Sequence, residues 1–368
     1  MADNTKLMNA KIEKNGEYYT EYSTISDEMG HYRDQLKGQV VYCNCDDPAW
    51  SNFWKYFHSN FASLGLKKLI STHYQKNTEP SFAMIYEGGD DFNMDAGKII
   101  EIYGNIDVVN GKEVFYTAGD FRSKACLDFL DEATVVTTNP PFFLFREYLA
   151  CLIEHEKKFI IIGDHKFSAT KEIFPLFKEN KVWYGASIHS GGVDFRMPDD
   201  YEEYSDNVFI RNGHHYINLA GIRWYTNLDV KYRHDGLWHK NGEFDNTQAH
   251  HYYEGNEDKY IHFDNFDAID ISVEKSNGKR EGTCDIIPID YSGMMAVPIT
   301  IFDKYNPDEL ELIGIPTGKS GASIGVKRNY RGRTDIAFTL RDGTQKCPFS
   351  RIIVRNRNPI KKADDLGY

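Results

Sequence analysis

No apolar run in this 368-residue chain is long enough to span a bilayer, and its polar N-terminus carries no signal peptide, so a cytoplasmic protein is expected. Cysteine is sparse: six residues, scattered, with Cys43-x-Cys45 lacking a second pair at zinc-ligand spacing. A disulfide scaffold and a zinc ribbon are thereby excluded, and buried free thiols in a reducing compartment are expected. The thirteen histidines show no ligand spacing. His214-His215 and His250-His251 read as loop or hairpin residues, and no metal is expected. Internal repeats and low-complexity tracts are absent. Positive charge is also short, with 43 Lys and Arg against 55 Asp and Glu, a net of −12 that by itself argues against nucleic acid.

The distribution of that charge argues the other way. Residues 313–368 hold 12 Lys/Arg and 4 Asp/Glu, a net of +8, which leaves −20 on the preceding residues. Such asymmetry points to a basic binding face, the alternative being a solvated basic tail. Interleaving with Tyr330, Phe338 and Phe349 favours binding. The rest of the composition is that of a globular protein: 41% hydrophobic, 27% charged, mean hydropathy −0.56. The 24 Tyr, 23 Phe and 5 Trp are expected mainly in the core, with some able to stack on bases.

The chain is organised around Thr137-Thr138-Asn139-Pro140-Pro141-Phe142. A β-branched run at 133–136 precedes it, and apolar residues at helical spacing over 143–153 follow. The tetrapeptide therefore sits where a strand ends and a helix begins, which is where ligands bind in an open α/β sheet. Two prolines give a stiff turn with free carbonyls. The Asn139 side-chain oxygen and the Pro140 carbonyl can then converge on an exocyclic amine, which has two N–H donors. Phe142 can offer a flat face to the ring carrying it. The plainer alternative is that Asn139 caps a helix.

Before that stretch, residues 38–45 read as a strand, 51–63 as a helix closed by Gly65, and 66–72 as a second strand. That makes a βαβ unit and hence a parallel sheet. Residues 1–36 are polar with helical tendency. Residues 76–113 look like an insertion with strands at 82–87 and 98–103, and 114–117 reads as the third core strand. Further strands are expected at 158–163 and 182–188, a helix at 171–179, and a closing hairpin from 216–220 and 222–225. The alternation describes an α/β fold, a doubly wound, mostly parallel sheet. It gives way near residue 230, so the expected domains are 1–230, catalytic, and 231–368, a target-recognition region of short strands and loops.

Four segments together resemble one family, the EcoRI-type adenine-specific DNA methyltransferases. They are Val40-Val41-Tyr42-Cys43-Asn44-Cys45-Asp46-Asp47-Pro48 with Ser51-Asn52-Phe53; Gly119-Asp120-Phe121-Arg122-Ser123; Asn139-Pro140-Pro141-Phe142; and residues 297–307, Val-Pro-Ile-Thr-Ile-Phe-Asp-Lys-Tyr-Asn-Pro. The last lies outside a generic methyltransferase core and discriminates best. The resemblance implies a Rossmann-like fold that binds S-adenosylmethionine, and transfer to adenine N6 in double-stranded DNA. A restriction endonuclease acting separately is left open as a partner.

Carried over residue by residue, the resemblance places Tyr19 and Thr20 at the methionine end of the cofactor. Asn44, Asp46, Asp47 and Pro48 fall at the first strand-to-helix turn, where a carboxylate can accept from the cofactor ammonium or simply cap the helix. The family's usual glycine-rich loop is missing there. Ser71-Thr72-His73 stands where an acid usually takes the ribose. Asp120, with Phe121, fits the acceptor of the cofactor's adenine amine, or an acid beside the next helix. Asn139, Pro140, Pro141 and Phe142 form the catalytic turn. Lys327, Arg328, Tyr330, Arg331 and Arg333 form the densest basic cluster and are expected on phosphates. The competing readings are a protein-glutamine methyltransferase, a cytosine-N4 methyltransferase, and a DNA-binding relative without catalysis.

Overall fold

A computed structural model describes residues 18–197, 207–241, 243–245, 250–276 and 280–361. The helical tendency expected at the extreme N-terminus therefore lies outside the described residues for positions 1–17, as do the last seven residues of the basic C-terminal stretch. Among the described residues no helix is long and apolar enough to cross a membrane. The chain forms two compact units, residues 1–164 with 185–230 and residues 165–184 with 231–368.

Seven strands lie side by side in the first unit: β1 (Val40–Cys43), β2 (Lys68–Thr72), β3 (Ser81–Tyr86), β4 (Lys98–Ile102), β5 (Val135–Thr138), β6 (Lys158–Asp164) and β7 (Ile222–Thr226). Their order is β7-β6-β5-β1-β2-β3-β4. The β6-β5, β5-β1 and β1-β2 pairings are parallel. Their strands are near-continuous buried runs, such as Phe159-Ile160-Ile161-Ile162, as a sheet covered on both faces requires.

The β7-β6, β2-β3 and β3-β4 pairings are antiparallel. The sheet is thus mixed, with half its pairings antiparallel, and not the mostly parallel one expected. The cause is local: the connection from Thr72 to Ser81 is too short for the helical crossover a parallel neighbour needs. The third core strand is likewise corrected. Lys112–Tyr116 pairs with Asn105–Val109 in a separate two-stranded ribbon, turned by Asn110 and Gly111 at φ +52° and +76°.

Helices α1 (Tyr22–Met29), α2 (Asn52–Ser59), α3 (Lys124–Glu132) and α4 (Phe145–Glu154) accompany the sheet. Ser51 caps α2 by accepting the Phe53 N–H at 3.1 Å, and Ser123 caps α3. The helix expected over 51–63 breaks at Asn60, and a further turn, Phe61–Leu64, closes on Gly65. The expected hairpin of 216–220 with 222–225 does not form. His214–Ala220 joins an antiparallel sheet with Tyr19–Thr20, Gly192–Arg196 and Val208–Arg211, while β7 joins β6. Gly221, at φ +79°, makes the turn between the two sheets.

The second unit has a five-stranded mixed sheet in the order Ile261–His262, Ala268–Asp270, Met294–Pro298, Arg351–Asn356, Leu310–Gly314. Phe263, Phe266, Ala296, Ile336, Phe338 and Ile353 form part of its core. Residues 165–184 pack into this unit through Phe177, whose ring centroid lies 4.6 Å from that of Phe302.

Candidate active site

β1 and β5 are parallel neighbours, so the turns that follow them leave the same edge of the sheet. One carboxylate joins the two turns. Asp46 is buried, and its Oδ1 accepts the Ser51 hydroxyl at 2.8 Å while its Oδ2 accepts the Thr138 hydroxyl at 2.5 Å. Burial pushes this carboxyl up to about 7, although the Thr138 and Ser51 hydroxyls and the Asn139 backbone N–H act to lower it. Asp46 is thus engaged inside the protein.

Asn139 is oriented by the N-terminal strand. Its Nδ2 donates to the Tyr18 carbonyl at 2.7 Å. No described residue donates to its Oδ1, and the Pro140 carbonyl accepts no backbone N–H among the described residues. Pro140 is buried, Pro141 and Phe142 are half-buried, and Phe142–Leu144 forms a short 3-10 turn leading into α4. Phe143, next in sequence, is 48% exposed.

Asp47 accepts the Ala49 N–H at 2.8 Å and pairs with His73 Nδ1 at 2.7 Å. Burial acts to raise its pKa, but the hydrogen bond from His73, then the Ala49 amide, hold it below the usual carboxylate range. His73, at the end of β2, thus secures the acid of the neighbouring turn. Asn44 is buried and fixed through its carbonyl, which takes the Thr72 hydroxyl at 2.8 Å; Pro48 is buried beside Asp47.

Asp120 is paired more completely than its sequence position implied. Its Oδ1 accepts Arg122 N–H and Nε–H, each at 2.9 Å, and its Oδ2 accepts an Arg122 guanidinium N–H at 2.8 Å. The guanidinium lies over the Tyr116 and Phe121 rings at 4.9 and 5.1 Å. Phe121 is buried edge-on to Tyr148. Gly119 precedes at φ +80°, where a Cβ would lie 2.0 Å from the His73 carbonyl oxygen, so only glycine brings this turn against the end of β2.

Two hydroxyls in the same region are buried without a hydrogen-bond partner: Thr20 Oγ1 and Thr117 Oγ1. Orphaned polar atoms are uncommon in folded proteins. Tyr19, beside Thr20, packs on Trp50 with centroids 4.1 Å apart.

In the second unit, residues 327–333 form a turn built on Asn329, which is buried. Its Oδ1 accepts the Arg331 and Arg333 N–H groups at 2.9 and 3.3 Å, and its Nδ2 donates to the Asp335 carbonyl at 3.2 Å. Lys327, Arg328, Tyr330, Arg331 and Arg333 are all exposed around it. No described carboxylate forms an ion pair with these four cations.

The first unit therefore gathers Tyr19, Thr20, Asn44, Asp46, Asp47, Pro48 and the 139–142 turn around the ends of β1 and β5, with Asp120 and Phe121 in the turn before α3. The 327–333 cluster belongs to the other unit. Sequence reasoning missed the roles of Ser51, Thr138, Arg122 and Trp50. Only Arg122 left a readable sign, an arginine two residues after an acid in a glycine-initiated turn.

Comparison with known proteins gives the family. Residues 6–357 match the family model described as adenine-specific methyltransferase EcoRI. The type II methyltransferase M.EcoRI of Escherichia coli is 38% identical over 360 residues, covering 97% of this chain and 98% of that protein. M.MpnI of Mycoplasma pneumoniae is 32% identical, with 95% and 98% covered, and M.MgeORF184P of Mycoplasma genitalium 33%, with 83% and 84% covered. No solved structure matches. With the family model spanning nearly the whole chain and an asparagine-proline-proline-phenylalanine turn at the strand end, the chain belongs to the EcoRI family of adenine-specific methyltransferases and is a site-specific DNA adenine methyltransferase.

Proposed function

We propose that the protein transfers the methyl group of S-adenosylmethionine to N6 of an adenine extruded from duplex DNA, with residues 139–142 as the catalytic turn. The observation that carries this reading is the Asn139 amide: its Nδ2 is committed to the Tyr18 carbonyl, so Oδ1 is the atom left to accept from a target amine. The Pro140 carbonyl offers a second acceptor. An aromatic amine is a poor nucleophile because its lone pair is delocalised into the ring. Two acceptors on its N–H groups favour a more tetrahedral nitrogen whose lone pair can attack. Catalysis is then mostly positioning and electrostatics.

The residues present fit the cofactor. The orphaned Thr20 and Thr117 hydroxyls offer hydrogen bonds, and Asp47, held ionised, suits an ammonium group. Asp120 keeps lone pairs beyond those used by Arg122 and could take an adenine amine. When bound, S-adenosylmethionine supplies a methyl group on a sulfonium, which needs no acid to leave. Asp46 braces the turn from inside. Phe142 would hold the extruded base by stacking.

Residues 1–230 carry the chemistry in this reading and residues 231–368 recognise the target. The 327–333 turn meets phosphates, since it offers long cations on a fixed backbone. The test is sequencing that detects N6-methyladenine in DNA from cells expressing the chain. Methylation at one short motif, strongly reduced by Asn139→Ala, is expected. Unmethylated adenine throughout, from soluble protein, would overturn the reading.

A further inference from the structure

Four hydrogen bonds and three short stretches of chain close a circuit through the candidate active site. Asn139 Nδ2 donates to the Tyr18 carbonyl at 2.7 Å. Two residues on, the Thr20 carbonyl accepts Asn52 Nδ2 at 2.8 Å. The neighbour of Asn52, Ser51, donates to Asp46 Oδ1 at 2.8 Å. Asp46 Oδ2 accepts from Thr138 at 2.5 Å, and Thr138 adjoins Asn139. The circuit is anchored to the sheet where Ser71 donates to the Asp46 carbonyl and where the Cys45 N–H donates to Thr138 Oγ1 at 3.2 Å.

We propose that Asn52 is a positioning residue for methyl transfer: by holding the Tyr18–Thr20 strand it fixes the orientation of the Asn139 amide. The proposal rests on the reading of Asn139 as acceptor of the target amine. An asparagine amide has two nearly isosteric orientations that differ by exchange of an acceptor for two donors. In one, Oδ1 faces the amine and accepts from it. In the other, the NH2 group faces the amine, donor against donor, and the site cannot work. The Tyr18 carbonyl chooses between them, because it can only accept.

That choice is as firm as the position of Tyr18. The strand Tyr19–Thr20 is two residues long and pairs on one side, with Phe195 and Arg196. Asn52 ties it to α2 through the Thr20 carbonyl. Without Asn52 the strand loses that tie, and the carbonyl that selects the productive orientation can shift. The geometry also explains why this family member carries Asn where a carboxylate would accept an amine equally well. An Asp at 139 would set a carboxylate oxygen against the Tyr18 carbonyl oxygen.

The experiment measures single-turnover methyl transfer at saturating DNA and cofactor, with DNA affinity and thermal stability measured alongside. Asn52→Leu is expected to slow transfer by about 10²-fold, the scale of a misplaced catalytic group, with its Kd for target DNA unchanged. Asn139→Asp is expected to lose rate on the same scale although it can still accept from the amine. Because both act on one amide orientation, the double variant should fall little below Asn139→Asp alone. A wild-type rate in Asn52→Leu, or losses that multiply in the double variant, would overturn the proposal. If Asn52→Leu does not fold, Asn52→Asp, which keeps the side-chain size but cannot donate to the Thr20 carbonyl, decides by the same readout: wild-type turnover overturns the proposal, and a loss of about 10²-fold at unchanged DNA Kd supports it. A wild-type protein inactive on adenine overturns the underlying reading and this proposal together, whereas an active wild type with a fully active Asn52→Leu overturns the proposal alone.

Discussion

Asn139 and Asn329 organise two turns in opposite ways. Asn329 is complete within the protein: both ends of its amide are bonded to backbone groups, with the Cys347 sulfur also in reach at 3.3 Å. Asn139 is half complete: its Nδ2 is bonded, and among the described residues nothing donates to its Oδ1. Asn329 fixes a backbone, and the charged side chains around it are exposed. Asn139 is itself the fixed side chain. A turn that meets phosphates needs charge in roughly the right place. A turn that aligns one amine for displacement needs an oxygen in one place.

The contrast is broken most sharply by truncating Asn139. Asn139→Ala is expected to lower kcat by about 10²–10³-fold, as removal of one preorganised partner of a transition state does, while target DNA binds unchanged. A variant with near wild-type kcat would place the chemistry elsewhere.

Acid and salt separate the two regions next. Asp46 has a folded pKa of about 7, above the 3.8 of the free group. The folded state therefore holds a proton that the unfolded state has released. Stability from this group is fully present below about pH 4 and is lost as pH rises through 7. Asp46→Asn should remove that slope, gaining on wild type on the order of a few kcal/mol between pH 5 and 8 in denaturant unfolding. An equal pH slope in both proteins would show that Asp46 is ionised in the folded state. Salt acts on the other turn. Replacing Arg331 and Arg333 by Ala should make the log–log salt slope of DNA binding shallower by about 2 and leave single-turnover rates at saturating DNA intact. A full slope in the folded variant would take these arginines off the DNA surface.

How much of this was legible in the sequence follows from the range of the interactions. The turn at 139–142 and the buried runs of β1 and β6 are local patterns of hydrophobicity and proline, and they stand where the pattern placed them, whereas β5, Val135–Thr138, lies two residues beyond the expected run at 133–136. β3 and β4 read as strands from sequence, but nothing local shows that they run antiparallel in place of a third parallel one. The Asn110-Gly111 turn is a readable hairpin signal, and the polar–apolar alternation of residues 105–108 agrees with it, but the strand is largely exposed and so is not part of the core sheet. The bond from Asn139 to Tyr18 joins residues 121 apart, and Thr138 to Asp46 joins residues 92 apart. Polar side chains at such separations carry no periodicity, so the sequence names the candidates without pairing them.

The smallest effect concerns the aromatic that receives the extruded base, and it sharpens the contrast within the catalytic turn itself. Extrusion costs a few kcal/mol, and stacking on an aromatic recovers about 1–3 kcal/mol. Two phenylalanines adjoin the prolines. Phe142 is half-buried at the start of the 3-10 turn, and Phe143 is 48% exposed. A half-buried ring has its plane set by its neighbours and can present a face without first being ordered. An exposed ring must lose rotamer freedom to do so, which lowers its net gain. Phe142→Ala should therefore shift the balance toward the stacked base more than Phe143→Ala does, and Phe142→Tyr or Trp should retain more function than Phe142→Leu. A fluorescent adenine analogue at the target position reads this directly. It should brighten with wild-type protein and Phe143→Ala, and much less with Phe142→Ala. If Phe143→Ala gives the greater loss of signal, the stacking face belongs to Phe143 and the catalytic turn receives its base one residue further along.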